Sequence, residues 1–314
     1  MEKLAPIALF TYNRPSETKQ TIEALGRNYL AQDSELIIFS DGHKTPEDKI
    51  KVDAVRKYLR SIDYFKKIRI KESLANRGLA HSIISGVTEV IQEYGKIIVL
   101  EDDHITSQNF LDFMNKALDI FRDENLIKSI NGYSPDIVNY LGQKDDIFLA
   151  KRPFPWGWGT WSKEWQPEKF HDHHMLQQAL LEKVQLKKQL GNDLPRMIRR
   201  YLDKKNNSWY VRWVLQHYFN NKFSLFPKLS KVENVGFNNN GTHCGYINTY
   251  KHAFDYENKR SFHYTNDVRI FGNAKKKFLD YFSYKYRIFY RIMMLTTFSG
   301  RNTLRTEILR KTRF

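Results

Sequence analysis

Cysteine is almost missing from this chain of 314 residues; Cys244 stands alone. One thiol excludes a disulfide framework and a zinc cluster of cysteines, and it suits a reducing compartment. Long apolar runs are missing too. No stretch of 18 apolar residues occurs, so no membrane-spanning helix is expected. Met1 to Phe10 carries one lysine and a very short apolar run, which does not read as a signal peptide. Acids are outnumbered, 35 against 51 Lys and Arg, giving a formal charge of +16. The excess is uneven: Ala274 to Phe314 holds eleven Lys/Arg and two acids, a net of +9. Such asymmetry points to an anionic surface, either membrane or nucleic acid. Aromatics, by contrast, are plentiful, with 21 Phe, 18 Tyr and 6 Trp, too many for a disordered chain. The length suffices for a sizeable core in one large domain or two smaller ones.

The most informative stretch is Ile97-Ile98-Val99-Leu100-Glu101-Asp102-Asp103. Four apolar residues predict a short buried strand. Three carboxylates have no place inside it, so they belong at its carboxyl end, where open α/β sheets bind ligands. Thr106 and Ser107 offer an N-cap for a following helix with Phe110, Phe113, Met114, Ala117, Leu118 and Phe121 on one face. Three acids in one loop repel one another unless a cation lies among them. Hard oxygen donors suit Mg²⁺ or Mn²⁺, which commonly take one or two carboxylates plus substrate phosphates. An acidic run is more often a solvated turn; its position after a buried strand reverses that preference here.

The rest of the first half alternates. Strands are expected at Ile7–Phe10, Leu36–Phe39 and Lys67–Lys71. The helices between them start after Pro15, at Thr45-Pro46-Glu47-Asp48 with Thr45 as N-cap and Asp48 closing a capping-box-like pair, and after Gly78, ending at Gly95. This order implies right-handed crossovers and a mostly parallel sheet. Beyond residue 128 the pattern loosens. Ile127–Ile130, Ile147–Ala150 and Phe223–Phe226 are expected strands, Pro153 to Trp165 an aromatic Gly-rich loop, 172–205 a basic helical insert, and Trp209–Phe219 a helix. Asn238 to His243 is a polar turn-forming loop.

Four polar loops then share one edge of the sheet: Thr11-Tyr12-Asn13-Arg14, Ser40-Asp41-Gly42, Asn76-Arg77-Gly78 and Glu101-Asp102-Asp103. Asp41 suits a nucleobase N–H. Arg14 and Arg77 suit phosphate, and the helix start after Gly78 favours anions. Each alone is ordinary, Asp41-Gly42 being a frequent turn dipeptide; the common edge is what argues for a site. His243 is as consistent with an imidazole ligand or phosphate contact as with a surface histidine. His171, His173 and His174 with Asp172 lack the spacing of a zinc site and read as a solvated loop.

Together these motifs resemble the GT-A glycosyltransferases, close to the bacterial family 2-like sugar transferases and similar to the N-acetylglucosaminyltransferase I group. The resemblance runs from residue 4 to about 165. It is carried by Pro6-Ile7-Ala8-Leu9-Phe10-Thr11-Tyr12-Asn13-Arg14-Pro15, Phe39-Ser40-Asp41-Gly42, Asn76-Arg77-Gly78-Leu79-Ala80, Glu101-Asp102-Asp103 and Phe154-Pro155-Trp156-Gly157-Trp158-Gly159. It implies an α/β GT-A (Rossmann-like), mostly parallel sheet flanked by helices, with a basic helical C-terminal extension. Where the basic tail begins sets a boundary near residue 265, so the expected layout is a catalytic domain over 1–265, with 1–125 the nucleotide-sugar half and 126–265 the acceptor half, and a basic aromatic tail over 266–314.

The implied activity is transfer of a hexosyl or N-acetylhexosaminyl group, with inversion, from a nucleotide sugar, UDP-linked, to a glycan or lipid-linked acceptor in bacterial surface polysaccharide synthesis. Glu-Asp-Asp would be the family's Asp-x-Asp form. Asp103, with His243, would hold Mn²⁺ or Mg²⁺. Glu101 and Asp102 would face ribose and donor sugar, Asp41 would read the base, and Thr11, Asn13, Arg14 and Arg77 would complete the donor site. Trp156 and Trp158 would face the acceptor, as a stacking platform, as core packing, or one in each role.

An inverting transferase needs a carboxylate to take the acceptor proton. The stretch Ser208-Trp209-Tyr210-Val211-Arg212-Trp213, where the resemblance places it, holds no acid. Asp203 is the nearest candidate and Glu164 the second. Two other classes are weighed. A nucleotidyltransferase would carry a Gly-rich loop after the first strand, but Thr11 to Pro15 has no glycine. A basic nucleic-acid-binding protein would carry a recognisable signature, and no zinc-finger, RNP or helix-turn-helix pattern occurs; no nucleic-acid partner is expected. In the tail, Phe278, Phe282, Phe289, Ile292 and Met293 group on one helical side with Leu279 and Tyr286. Lys276, Lys285, Arg287 and Arg291 spread over the rest. This predicts either a helix docked through its aromatics or an interfacial helix on an anionic leaflet, placing the chain in the cytoplasm, peripheral on the inner face of the cell membrane.

Overall fold

The computed structural model describes residues 3–142, 146–237, 250, 252–265, 269–270, 272–298, 300–302 and 304–305. In chain order the elements are β1 (Ile7–Thr11), α1 (Pro15–Gly26), β2 (Glu35–Ser40), α2 (Pro46–Leu59), β3 (Lys67–Glu72), α3 (Leu79–Tyr94), β4 (Lys96–Glu101), β5 (His104–Thr106), α4 (Phe110–Ile120), β6 (Ile127–Asn131), β7 (Ile147–Ala150) and β8 (Trp158–Trp161). There follow α5 (His173–Leu181), α6 (Lys183–Leu190), α7 (Leu194–Leu202), α8 (Trp209–Phe219), β9 (Phe223–Pro227), β10 (Val232–Asn234), α9 (Gly272–Asp280) and α10 (Tyr284–Leu295).

Eight strands form one sheet in the order β3-β2-β1-β4-β8-β6-β9-β7, and β10 pairs with β5 in a small second sheet. β8 runs antiparallel to β4 and β6, and β7 antiparallel to β9; the other pairings are parallel. This is the α/β, mostly parallel, helix-flanked architecture expected of a GT-A fold. Side chains alternate across β1 as a doubly covered strand requires. Ile7 and Leu9 join Ile22 and Leu25 of α1, Val55 of α2 and Phe113 of α4. Ala8 and Phe10 meet Ile83, Val87 and Val90 of α3 on the opposite face. The insert α5–α7 packs its own apolar cluster against Val211, Val214 and Leu215 of α8.

Several local expectations are corrected. The acids do not lead straight into a helix capped at Thr106 or Ser107: the chain first forms β5, because β10 offers it an antiparallel partner, and α4 starts after Asn109. The stretch Pro153–Trp165 is not all loop; β8 lies within it, filling the gap between β4 and β6. The capping pair at α2 holds, with Thr45 accepting the Asp48 N–H and the Asp48 carboxylate bonded back to Thr45, and the same carboxylate also accepts from Tyr12 and Asn13 of the loop after β1.

The tail divides near residues 281–283. Phe278 and Phe282 are buried in the main core, so these two aromatics dock, as one of the two alternatives had it. Docking centres on Arg152, 2 % exposed. It donates to Asp193 at 2.5 and 3.2 Å and to the Leu190 carbonyl at 2.6 Å, and its guanidinium lies 3.7 Å from the Phe282 ring centroid. Beyond that point α10 leaves Ile288, Phe289, Ile292, Met293 and Leu295 exposed. Among the described residues no helix is long and apolar enough to cross a membrane.

Candidate functional site

Parallel pairing of β1 with β2 and β4 brings three of the predicted loops together. Glu101 stands opposite Phe10, and Thr11 opposite Ser40, so the loop after β1 lies between the other two. Hydrogen bonds tie these loops into one edge. The Tyr12 N–H donates to Asp102 Oδ2 at 3.2 Å. Arg14 donates to Asp103 Oδ2 at 2.9 Å and also to Asp102 Oδ1. Tyr12 and Asn13 donate to Asp48 at 2.8 and 2.7 Å.

Asp41 ties in the fourth loop. Its Oδ1 accepts from the N–H of Gly42 and of Arg77, and its Oδ2 from the N–H of Gly78, each at 2.9 Å. Both carboxylate oxygens, expected to face a base, thus serve first to fasten the α3 entry loop to β2. Gly42 is required there, since a Cβ would lie 2.5 Å from the Ala75 carbonyl carbon. The Arg77 side chain is exposed and meets His81. The Thr11 hydroxyl is buried with no hydrogen-bond partner.

Two of the acids, Glu101 and Asp102, are perturbed. Asp102 and Asp103 are 3 % and 4 % exposed. Burial first, then the charges of Asp103 and Asp102, push Glu101 well above the usual carboxylate range. Burial also raises Asp102, against the opposing pull of Arg14. Burial pulls the Arg14 guanidinium down, but Asp102 and Asp103 more than offset this and hold it above its ordinary value. His104, which sequence reasoning missed, is fully buried beside them. Its Nδ1 accepts the Glu101 N–H at 3.0 Å, and its Nε2 lies 3.5 Å from Asp103 Oδ1. Burial lowers its pKa to about 4. Asn234, also missed, donates to Asp103 Oδ1 at 3.3 Å from β10. Val232-Glu233-Asn234 carries no local signal that would have found it.

These residues do not fit a divalent ion as they stand. Arg14 takes one oxygen of each aspartate, the Tyr12 N–H and Asn234 take the others, and burial pushes Glu101 above the usual carboxylate range. Among the described residues, no three His, Cys, Asp or Glu side chains are grouped to hold a metal. His243 lies outside the described residues.

The remaining predicted positions divide. Trp156, 8 % exposed, lies just before β8 on the same edge, with Tyr133 at 4.6 Å and Tyr250 at 5.2 Å between ring centroids. Trp158 takes the core-packing alternative. It is 1 % exposed and sandwiched among Trp165, Trp209 and Trp213 at 5.4 to 5.8 Å. Glu164 is corrected. Trp161 pairs with Lys96 at the start of β4, so Glu164 lies at the opposite end of the sheet, about 16 Å of strand from Glu101. There it is buried between Lys222 at 2.5 Å and Lys128 at 3.8 Å. Asp203 is half exposed just after α7 and pairs with Lys205 at 3.3 Å.

No protein-family model and no curated protein sequence matches this chain. Among solved structures it is similar to the mannosyltransferase PcManGT from Pyrobaculum calidifontis in complex with GDP-Man and Mn²⁺, at 9 % identity and a TM-score of 0.38. The match covers 52 % of this chain and 46 % of that one, so less than half of that protein's length is spanned. A likeness this remote assigns no activity.

Proposed function

We propose that the chain is a glycosyltransferase that moves a hexosyl or N-acetylhexosaminyl group, with inversion, from a UDP-linked donor to a glycan or lipid-linked acceptor in bacterial surface polysaccharide synthesis. One observation carries this reading: four strand-end loops, including an arginine held by two buried aspartates, are hydrogen-bonded into a single polar edge. Ligands of open parallel sheets bind at such an edge. When the sugar–phosphate bond breaks, negative charge develops on the leaving diphosphate. A cation already fixed in place stabilises that charge without reorganising, and the Arg14 guanidinium suits that task. The α3 N-terminus adds a favourable partial charge. Trp156, on the same edge, is the candidate acceptor contact, and Asp203 is the remaining candidate for the base.

The reading includes an anionic membrane surface as partner. Exposed Ile288, Phe289, Ile292, Met293 and Leu295 on α10 supply an apolar face, while Lys285 and Arg291 are exposed on the same helix. Nearby, a cleft of about 360 Å³ is lined by Lys187, Lys188, Lys275 and Lys276, together with Asp280. That combination suits a headgroup layer better than a nucleic acid. The test of the activity is release of nucleoside diphosphate from a panel of nucleotide sugars in the presence of lipid-linked and free glycan acceptors. Acceptor-dependent release from one donor is expected. No release from any of them refutes the assignment.

A further inference from the structure

We propose that the cleft between α6 and α9 is a seat for a ligand carrying two neighbouring phosphate groups, either a diphosphate or a pair of phosphate monoesters. The seat is separate from the strand-end edge, and it anchors its ligand rather than reacting with it. It stands on its own residues, whether or not the chain transfers sugar. It also goes beyond the contact of α10 with an anionic surface, which needs no defined site.

The lining carries it. Lys187 and Lys188 of α6 and Lys275 and Lys276 of α9 line one cleft of about 360 Å³. Asp280 is the one acid in the lining, so the seat holds a formal charge of +3. Among the described residues, none of the four lysines pairs with a carboxylate, Asp280 included. Neighbouring acids are engaged elsewhere, Asp193 by Arg152 and Glu182 by the Tyr218 hydroxyl. Just outside, Lys151 donates to the amides of Gln189 and Asn221 at 2.9 and 2.7 Å rather than to an acid. Burial first, and then the charge of Lys275, lowers its pKa. A phosphate monoester carries about −1.5 to −2 at pH 7, so it takes two to balance the seat.

Packing holds these like charges together. Leu186 and Leu190 fix α6 in the apolar cluster of the insert, and Phe278 and Phe282 fix α9 in the main core. Gly191 closes the floor between the walls. Its φ is +104°, and a Cβ there would stand 2.5 Å from the Phe282 Cβ, so only glycine lets the two walls come this close. Cations on pinned walls repel one another, and a bound anion relieves that repulsion. The choice of cation agrees. Compact, rotatable ammonium groups suit a tetrahedral phosphate approached from several directions. The arginines of the insert, Arg196, Arg199 and Arg200, lie on α7 outside the lining.

Position assigns the role. β8 runs antiparallel to β4 and β6, β9 parallel to β6, and β7 antiparallel to β9. Lys151 and Arg152 therefore leave β7 at the end of the sheet opposite Glu101. The cleft floor lies over them, since a Cβ on Gly191 would stand 3.1 Å from Arg152 Nη1. A phosphate held there is remote from Arg14 and serves as an anchor. The cleft also lies at the foot of α10. Ser283, part of the lining, caps that helix by accepting the Lys285 N–H at 3.2 Å. A phosphate-headed lipid is thus one source of the ligand, with its head in the cleft and its chains against the exposed Ile288, Phe289 and Ile292. A soluble diphosphate is the other.

The test is calorimetric titration of the full chain with inorganic pyrophosphate at about 0.15 M salt, where long-range attraction is screened. Lys188→Gln/Lys275→Gln removes one exposed lysine from each wall. It should bind about ten-fold more weakly and melt no lower than the parent. Arg199→Gln/Arg200→Gln removes the same charge from an exposed face outside the cleft and should change affinity by about two-fold or less. The difference between parent and cleft variant isolates the seat from anything bound at the strand-end edge. Vesicles of phosphatidylcholine with a polyprenyl diphosphate, set against vesicles brought to the same charge with phosphatidylglycerol, separate the two sources. A preference for the diphosphate vesicles that the cleft variant loses makes the ligand a lipid headgroup. No preference, with pyrophosphate binding intact, makes it a soluble diphosphate. A parent that binds no pyrophosphate, or a cleft variant that loses no more affinity than the α7 variant, overturns the seat.

Discussion

Asp41→Asn is the perturbation whose consequence the geometry fixes most closely. The carboxylate accepts three backbone N–H groups, two on Oδ1 and one on Oδ2. An amide has one oxygen. If it keeps Gly42 and Arg77, its own N–H₂ is turned on the Gly78 N–H. That leaves a donor without its acceptor, a loss of about 1–3 kcal/mol. The two surviving bonds also fall from charge-assisted to neutral, roughly another 1 kcal/mol. A total near 2–4 kcal/mol is expected, read as a lower urea midpoint at an unchanged slope. Binding of uridine diphosphate and of pyrophosphate should weaken alike, because what loosens is the loop carrying Arg77 and Gly78. A variant within about 0.5 kcal/mol of the parent refutes the bracing argument. Selective loss of the nucleoside diphosphate returns Asp41 to reading the base.

Asp193→Ala strands the Arg152 guanidinium in the core, where breaking a buried pair costs about 3–5 kcal/mol. Arg152→Met with Asp193→Leu should recover most of that loss in the same unfolding assay. On α10, Ile288→Glu with Phe289→Glu should abolish salt-sensitive co-sedimentation with vesicles containing anionic lipid and leave the melting temperature unchanged; equal binding by parent and variant removes the membrane from the account. Truncation from Gly272 is a poor test, because it also strips Phe278 and Phe282 from the core. Burial, chiefly, holds His217 neutral and well below its ordinary value. The unfolded chain takes up that proton below about pH 6.5, so His217 alone should lower stability by about 1.4 kcal/mol between pH 7.5 and 5.5, with His104, at about 4, adding a comparable loss. His217→Gln should remove that part of the slope.

The parallel half of the fold was legible because its signals are local. Apolar runs, Thr45-Pro46 at the start of α2 and Gly95 at the end of α3 each state their element without help from the rest of the chain. β8 was not legible: Trp158-Gly159-Thr160-Trp161 reads as an aromatic loop until β4 and β6 stand on either side of it. The site was half legible. Strand-end position marked Glu101, Asp102, Asp103, Asp41 and Arg14. Composition could not show that Arg14 would settle between two aspartates, or that Asp41 would turn inward to backbone. Glu164 was chosen for proximity in sequence, and an antiparallel strand carried it to the far edge. Asn234 and His104 reach Asp103 through the small β5–β10 sheet, a long-range pairing that spacing does not announce.

The measurement that bears most directly on the strand-end edge as a nucleotide-sugar site is the thermal stability of the parent and of Asp103→Asn across a panel of nucleotide sugars with Mn²⁺ present. The account predicts that one donor, at ~100-fold excess over its Kd, stabilises the parent by about 2.7 kcal/mol. Asp103→Asn, still folded, should show no such gain. A parent that no nucleotide sugar stabilises, or an Asp103→Asn chain that responds as the parent does, contradicts it.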